Sequence, residues 1–267
     1  MKSIHVTFLF ILGLILAPDW LNASIPYKEK PSSVIEKIER KYEEIRKTAP
    51  SIKTNNVSVK TIRFIQESDN LLPDYSKLHQ IVLIRHGEPD INKCGKFTCD
   101  EANQFLKCYD SVCIVVPEKP FFQLEENEQV ALFSSPLNRA LSTANYICGT
   151  NKCITVLPEF REFENKISSS DFQKRRSIKK WTTISRLKWM LGRGKNEDIE
   201  SFSKAKDRAR KAANILSDAS KDNSKVLLTA HGMLNRYIKK NLKKMGWKVV
   251  ADTGSDYFGT TILVKVE

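Results

Sequence analysis

Ile81-Val82-Leu83-Ile84-Arg85-His86-Gly87-Glu88 is the stretch on which the reading of this chain turns. A short apolar run that stops at polar residues and glycine reads as a buried parallel strand entering a loop. The pattern recurs where Val226-Leu227-Leu228-Thr229-Ala230 runs into His231-Gly232. The sequence holds 4 histidines in 267 residues, and two of them, 145 positions apart, end these two runs. In open α/β sheets, ligands sit outside the carboxyl ends of the strands. Two neighbouring strands of this kind bring His86 and His231 to one mouth.

A third run, Val130-Ala131-Leu132-Phe133, leads to the same mouth and ends at Ser134-Ser135-Pro136-Leu137-Asn138-Arg139. Pro136 suits the first turn of a helix, where a missing N–H costs nothing. Arg139 then lies in that first turn, close to the strand end. Arg85, Arg139 and the two histidines make a dense cationic pocket. Guanidinium forks match phosphate oxygens bidentately, and helix-starting N–H groups add to the preference for an anion.

Arg85-His86-Gly87-Glu88, followed by Asn92, forms one signature. Ser135 through Ala144 fits S-x-L-x-R-A-x-x-T-A, and His231-Gly232 closes a strand as a third. In this order they resemble the first branch of the histidine phosphatase superfamily, over roughly residues 77 to 267. The resemblance implies the phosphoglycerate-mutase-like fold, an α/β/α sandwich of three layers on a mostly parallel central sheet. Alternating strands and helices point the same way. It further implies that His86 is a nucleophile that becomes a transient phosphohistidine. Arg85, Asn92, Arg139 and Gly232 would bind the substrate phosphate, and His231, a further catalytic residue, would hold the phosphoryl oxygens with the arginines. Neutral imidazole attacks without a metal, no Cys/His grouping has metal-ligand spacing, and no cofactor is implied. The general acid and base is Glu162, in Leu157-Pro158-Glu159-Phe160-Arg161-Glu162, with Glu159 the alternative at a shorter spacing. The family's Gly-Asp/Glu-Trp-Glu-Gly continuation is replaced here by Phe163-Glu164-Asn165.

Mutases of the family usually read R-H-G-E-S-x-W-N, and Pro89 and Ile91 stand where Ser and Trp would be. The expectation is therefore a phosphomonoester phosphatase acting on a small anionic phosphorylated substrate. A phosphoglycerate-mutase-type phosphotransferase is the alternative. The contrasting class is a phosphate-binding protein without turnover, against which the intact histidines and arginines stand. Exported relatives that act on phosphorylated sugars of cell-surface lipids supply an analogy for the substrate.

Met1 to Ala23 carries Lys2 and then an apolar stretch from Val6 to Ala17, ended by Pro18-Asp19. That stretch is short for a bilayer core of about 30 Å. It reads as a signal segment over residues 1–23, with Ala23 the last residue before cleavage. An uncleaved anchor is the competing reading. The expected location is periplasmic or secreted. Cys94, Cys99, Cys108, Cys113, Cys148 and Cys153 form three pairs, each with four intervening residues. In an exported chain such pairs are expected to form disulfides.

The formal net charge is +13, and removal of Lys2 and Asp19 with the leader leaves it unchanged. Such a balance favours anionic partners. Basic residues gather from Lys174 to Lys195, with no acid between Phe172 and Asn196. Trp181, Ile184, Leu187, Lys188 and Leu191 recur there near helical spacing. One reading is a helix that packs one face and solvates the other. The other is a cap, around residues 166–199, that receives an acidic substrate or lies on anionic lipid. No nucleic-acid-binding motif accompanies the charge.

Residues 24–76 read as an N-terminal helical extension before a phosphatase domain of residues 77–267. Ser33-Val34-Ile35-Glu36 is a capping box, and Val34, Ile38, Tyr42 and Ile45 place a helix over 34–47. Residues 51–76 show no clear period and read as a wrap or a linker. Further strands are expected at 80–85, 129–134, 153–157, 225–230 and 260–266. Helices are expected near 100–110, 136–147, 200–218 and 233–244.

Overall fold

The computed structural model describes residues 31–54, 58–125, 128–168, 174–192 and 199–267. The leader, and with it the signal or anchor reading, lies outside them, as do Arg193 and Lys195 of the basic stretch. No helix among the described residues is long and apolar enough to cross a membrane.

The chain runs α1 (Pro31–Thr48), β1 (Ser51–Lys53), β2 (Ser58–Lys60), β3 (Ile62–Arg63), β4 (Leu78–Arg85), α2 (Cys99–Ser111), β5 (Phe122–Gln123) and β6 (Ala131–Ser134). It continues with α3 (Asn138–Cys148), β7 (Thr155–Val156), α4 (Ile178–Met190), α5 (Phe202–Asp222), β8 (Lys225–Ala230), α6 (Gly232–Lys244), β9 (Lys248–Asp252) and β10 (Thr260–Val266). The main sheet has the order β7-β6-β8-β4-β10-β9. β7, β6, β8 and β4 pair in parallel, whereas β10 is antiparallel to both β4 and β9. The sheet is therefore mixed rather than strictly parallel. β9, absent from the sequence reading, folds back on β10 through the loop 253–259, and this return reverses the direction of one strand.

Both faces of the sheet are buried, which explains why β4 reads as a continuous apolar run. Val82 and Ile84 join Ile38 and Tyr42 of α1 and the partly buried Tyr146 and Ile147 of α3 on one face. Ile81 and Leu83 join Ala209, Ala213 and Leu216 of α5 and Leu234 and Ile238 of α6 on the other. Alternation along β4 thus feeds two cores, and the result is the three-layer α/β/α arrangement.

Side chains from residues 31–54 and 58–76 share the first of these cores. Ile52, Ile62, Phe64 and Ile65 are all buried. β1 and β2 form a two-stranded ladder, and β3 pairs in parallel with β5. The buried Gln80 side chain binds the Ile65 backbone in both directions, each bond 2.9 Å long. One amide thereby replaces a missing strand partner for both backbone groups.

The expected disulfides are not formed, and all six cysteines are free thiols. Within each spaced pair one member is buried or partly buried, Cys99, Cys108 or Cys148, while the other, Cys94, Cys113 or Cys153, is exposed. Cys99 donates to the carbonyl of Ile167 at 3.4 Å. Burial pushes the Cys148 thiol up to about 12, so it stays protonated.

The basic stretch does contain a helix, α4, but in a different phase from the one read in the sequence. Trp181, Ser185 and Trp189 face inward, whereas Leu187 and Leu191 are 57% and 59% exposed. Two indoles decide the phase because each buries more surface than a leucine. Both also find acceptors, the carbonyls of Phe97 at 2.7 Å and Glu200 at 2.8 Å.

Candidate active site

Strand register assembles the site. Arg85 pairs with Ala230 across β4 and β8, and Ser134 pairs with Thr229 across β6 and β8. One residue further on, the His86 N–H donates to the carbonyl of Ala230 at 2.9 Å, and that of Ser135 to Thr229 at 3.0 Å. His86, His231 and Ser135 therefore leave the sheet in one row. The imidazole centroids of His86 and His231 are 5.2 Å apart. Gly87 is needed where the chain turns, because a Cβ there would sit 2.4 Å from the ring of Phe258. Its N–H is held by the Thr143 hydroxyl at 2.9 Å.

His86 is buried. Its Nδ1 lies 2.8 Å from the carbonyl of Gly87, which only accepts, so Nδ1 carries the proton. Nε2 is then the lone-pair nitrogen, and it accepts from Nε of Arg139 at 3.2 Å. Burial first, then the charges of Arg139, Arg85 and Lys93, hold this histidine well below the ordinary imidazole range. His231 is depressed in the same direction by burial, Arg139, His86, Arg85 and Arg186. Its Nε2 lies 2.7 Å from the Ser135 hydroxyl. Nδ1 of His231 is buried with no hydrogen-bond partner among the described residues. At neutral pH both rings are uncharged amid cations.

Arg139 is buried in the first turn of α3, with Nη1 on Asp110 at 2.6 Å and on the carbonyl of Tyr109 at 3.1 Å. Its guanidinium also stacks 4.7 Å from the Tyr109 ring centroid. Arg85 is held by the carbonyl of Ser255 at 2.5 Å and lies 4.5 Å from the Tyr257 centroid. The hydroxyls of Tyr109 and Tyr257 meet at 3.3 Å, so each arginine rests on one ring of a joined pair. Gly232 opens α6 directly under Arg85, where a Cβ would lie 3.3 Å from Cδ of the arginine.

Arg85, His86, Arg139 and Glu162 line a cavity of about 760 Å³, whereas His231, buried behind His86, and Gly232 do not line it. Glu159 does not line it. Glu162 accepts from the Phe163 N–H at 2.9 Å, and its other oxygen is 3.8 Å from Arg186 of α4. The loop that carries it is fastened by Arg208 of α5, which donates to the carbonyls of Glu159, Arg161 and Glu162 at 3.1, 2.6 and 3.4 Å. Asn92 is not brought to the cavity. It is exposed, and its side chain accepts from the Cys94 N–H at 2.9 Å. Lys93, one residue on, lines the cavity instead, with Nζ 4.6 Å from the Tyr257 centroid.

Sequence reasoning does not single out Lys93, Asp110, Tyr109, Tyr257 or Arg208, because none lies in a recognisable spacing. An arginine in the alanine-rich stripe of α5 was the one available signal, since a buried guanidinium must find acceptors. α4 contributes Lys179, Thr182 and Arg186 to the cavity, so the basic helix both packs and lines the site. No group of His, Cys, Asp and Glu among the described residues has the geometry to hold a metal ion.

The family described as histidine phosphatase superfamily (branch 1) matches residues 121–265. No curated protein matches the chain. Among solved structures, a mutant phosphoserine phosphatase of Entamoeba histolytica, in complex with phosphoserine, is 18% identical. The match covers 70% of this chain and 94% of that one, with a TM-score of 0.38. A mycobacterial glucosyl-3-phosphoglycerate phosphatase is 19% identical over 70% of this chain and 90% of its own, with a TM-score of 0.40.

Proposed function

The chain belongs to branch 1 of the histidine phosphatase superfamily, and from that premise we propose that it is an exported, metal-independent hydrolase of small phosphomonoesters working through a phosphohistidine on His86. The observation that carries the reading is the state of His86. It is neutral and buried, with its proton held on Nδ1 and its Nε2 lone pair turned to Arg139, at the inner end of a cavity with a carboxyl group on its wall.

The phosphoryl group enters between the two arginines and displaces the Arg139 Nε–H from His86 to a phosphoryl oxygen. Nε2 of His86 then attacks phosphorus. The N–P bond forms as the ester P–O bond breaks, and Glu162, as the carboxylic acid, gives its proton to the leaving oxygen. Arg85, Arg139 and the Nδ1 proton of His231 offset the charge on the phosphoryl oxygens. In the second half a water gives a proton to the Glu162 carboxylate and attacks phosphorus. The N–P bond breaks, inorganic phosphate leaves, and Glu162 is again the acid.

Quenched-flow labelling with a ³²P-phosphomonoester should trap label on the peptide containing His86. His86→Ala should lose turnover while keeping its circular dichroism spectrum. Undiminished turnover in that variant, or activity abolished by a chelator and restored by a divalent ion, contradicts the proposal. Transfer of the label to an added alcohol in preference to water favours the phosphotransferase alternative. Export is supported by the apolar stretch of residues 1–23. It predicts Ser24 as the first residue of protein recovered from its native host.

A further inference from the structure

The cavity has a wall that phosphoryl transfer does not use. Phe105 and Leu106 of α2 and Ile178 of α4 line it next to Tyr109, all three only half-buried. The Phe105 ring stacks on Tyr109 with centroids 6.1 Å apart, and Tyr109 stands 6.2 Å from His86. An aromatic row therefore leads away from the reacting nitrogen. Phe105, Leu106 and Ile178 carry no group that can hold phosphate, give a proton or orient a catalytic side chain. α2 also lies outside the three signatures that assemble the phosphate pocket.

Several cations on the rest of the wall already face carboxyl groups of the described residues, Lys179 being the exception among those of α4. Arg161 lies 3.4 Å from Glu164 and 3.8 Å from Glu200, Arg186 lies 3.8 Å from Glu162, and Lys93 lies 3.7 Å from Glu88. A second anionic group on the substrate would compete with these carboxyl groups for Arg161, Arg186 and Lys93. An apolar group on the α2 wall displaces only water. Pockets of several hundred Å³ with apolar linings and a few placed polar groups bind ligands mainly through that lining.

Resting on the hydrolase reading, we propose that the alcohol part of the substrate is apolar and extended, and that it seats on Phe105 and Leu106 while its phosphate lies between Arg85 and Arg139. Phe105 is then a specificity-determining residue of the site.

The test compares two primary alkyl esters with closely matched leaving groups, hexyl phosphate and glycerol 3-phosphate, on the full chain. Hexyl phosphate should have a kcat/KM higher by about tenfold or more, since several methylenes leave water in the transition state. Phe105→Ala should remove most of that preference by lowering the hexyl value alone, and Phe105→Leu should retain most of it. Thermal melts of both variants separate this from misfolding. An equal or higher kcat/KM for glycerol 3-phosphate overturns the proposal, as does a Phe105→Ala variant that slows both esters alike. Calorimetry of hexylphosphonate against methylphosphonate needs no turnover and is expected to show about tenfold tighter binding of the longer chain. If no ester is hydrolysed, the hydrolase reading fails, and equal binding of the two phosphonates then overturns the apolar wall separately.

Discussion

Glu162 and Glu159 are three positions apart, and the sequence offers both as the proton donor. Only Glu162 reaches the cavity, while the Glu159 carbonyl is engaged by Arg208 and its side chain is not on the cavity wall. Glu162→Gln is expected to slow an alkyl phosphate by about 10²–10⁴-fold and an activated aryl phosphate much less, because only the poor leaving group needs a proton. Glu159→Gln should leave both rates close to wild type. Steady-state kinetics on the two ester types decide it, and the reverse pattern would move the acid to the other residue. The same scale shows what a motif does and does not fix. Asn92 holds the signature position yet binds its own loop, and Lys93 takes its place at the cavity.

At the scale of elements, α5 does more than cover the sheet. Its alanines let it lie close to β4 and β8, and Arg208 projects from the same helix to three carbonyls of the acid loop and to Glu200 at 2.6 Å. Both partners of that ion pair are nearly buried, with side-chain exposures of 9% and 11%. Arg208→Met should therefore cost about 3–5 kcal/mol, since it strands a buried carboxylate. Chemical denaturation measures this. Arg208→Met with Glu200→Met should recover much of the stability but not the rate on alkyl phosphates, because the three carbonyls still lack their donor. Recovery of both would assign Arg208 a purely structural role. The helix was legible in the sequence from its alanine period. The purpose of its arginine was not, because its acceptors lie 46 to 49 residues away in the chain.

For the molecule as a whole, two histidines are buried uncharged amid arginines, and this ties stability to pH. Their folded pKa values lie below the value of about 6.5 that they take in the unfolded chain. Below that pH the unfolded state binds more protons than the folded one, so stability falls as pH drops, and it levels off above. Urea denaturation midpoints at pH 7.5 and pH 5.5 should show the loss, and His231→Asn should reduce its slope. An equal slope in that variant would place the acid sensitivity elsewhere. Bound phosphate should oppose the loss, because an anion between the arginines favours protonated imidazole.

The sequence by itself determined the strands that end at His86, His231 and Ser134, the helix that presents Arg139, and the three-layer class. These rest on local signals, apolar runs closed by glycine or proline, which survive without knowledge of neighbours. Tertiary structure alone decided that residues 58–65 reach the core, because Phe64 and Ile65 have no period and Ile65 is fixed by Gln80 at a distance. It decided the phase of α4, where two indoles outweigh the leucines. It left the cysteines unpaired, because spacing along a chain says nothing about how close two thiols come in space. And it put Glu162 rather than Glu159 on the cavity wall, because only the folded loop, tied down by Arg208, shows which of the two faces the cavity.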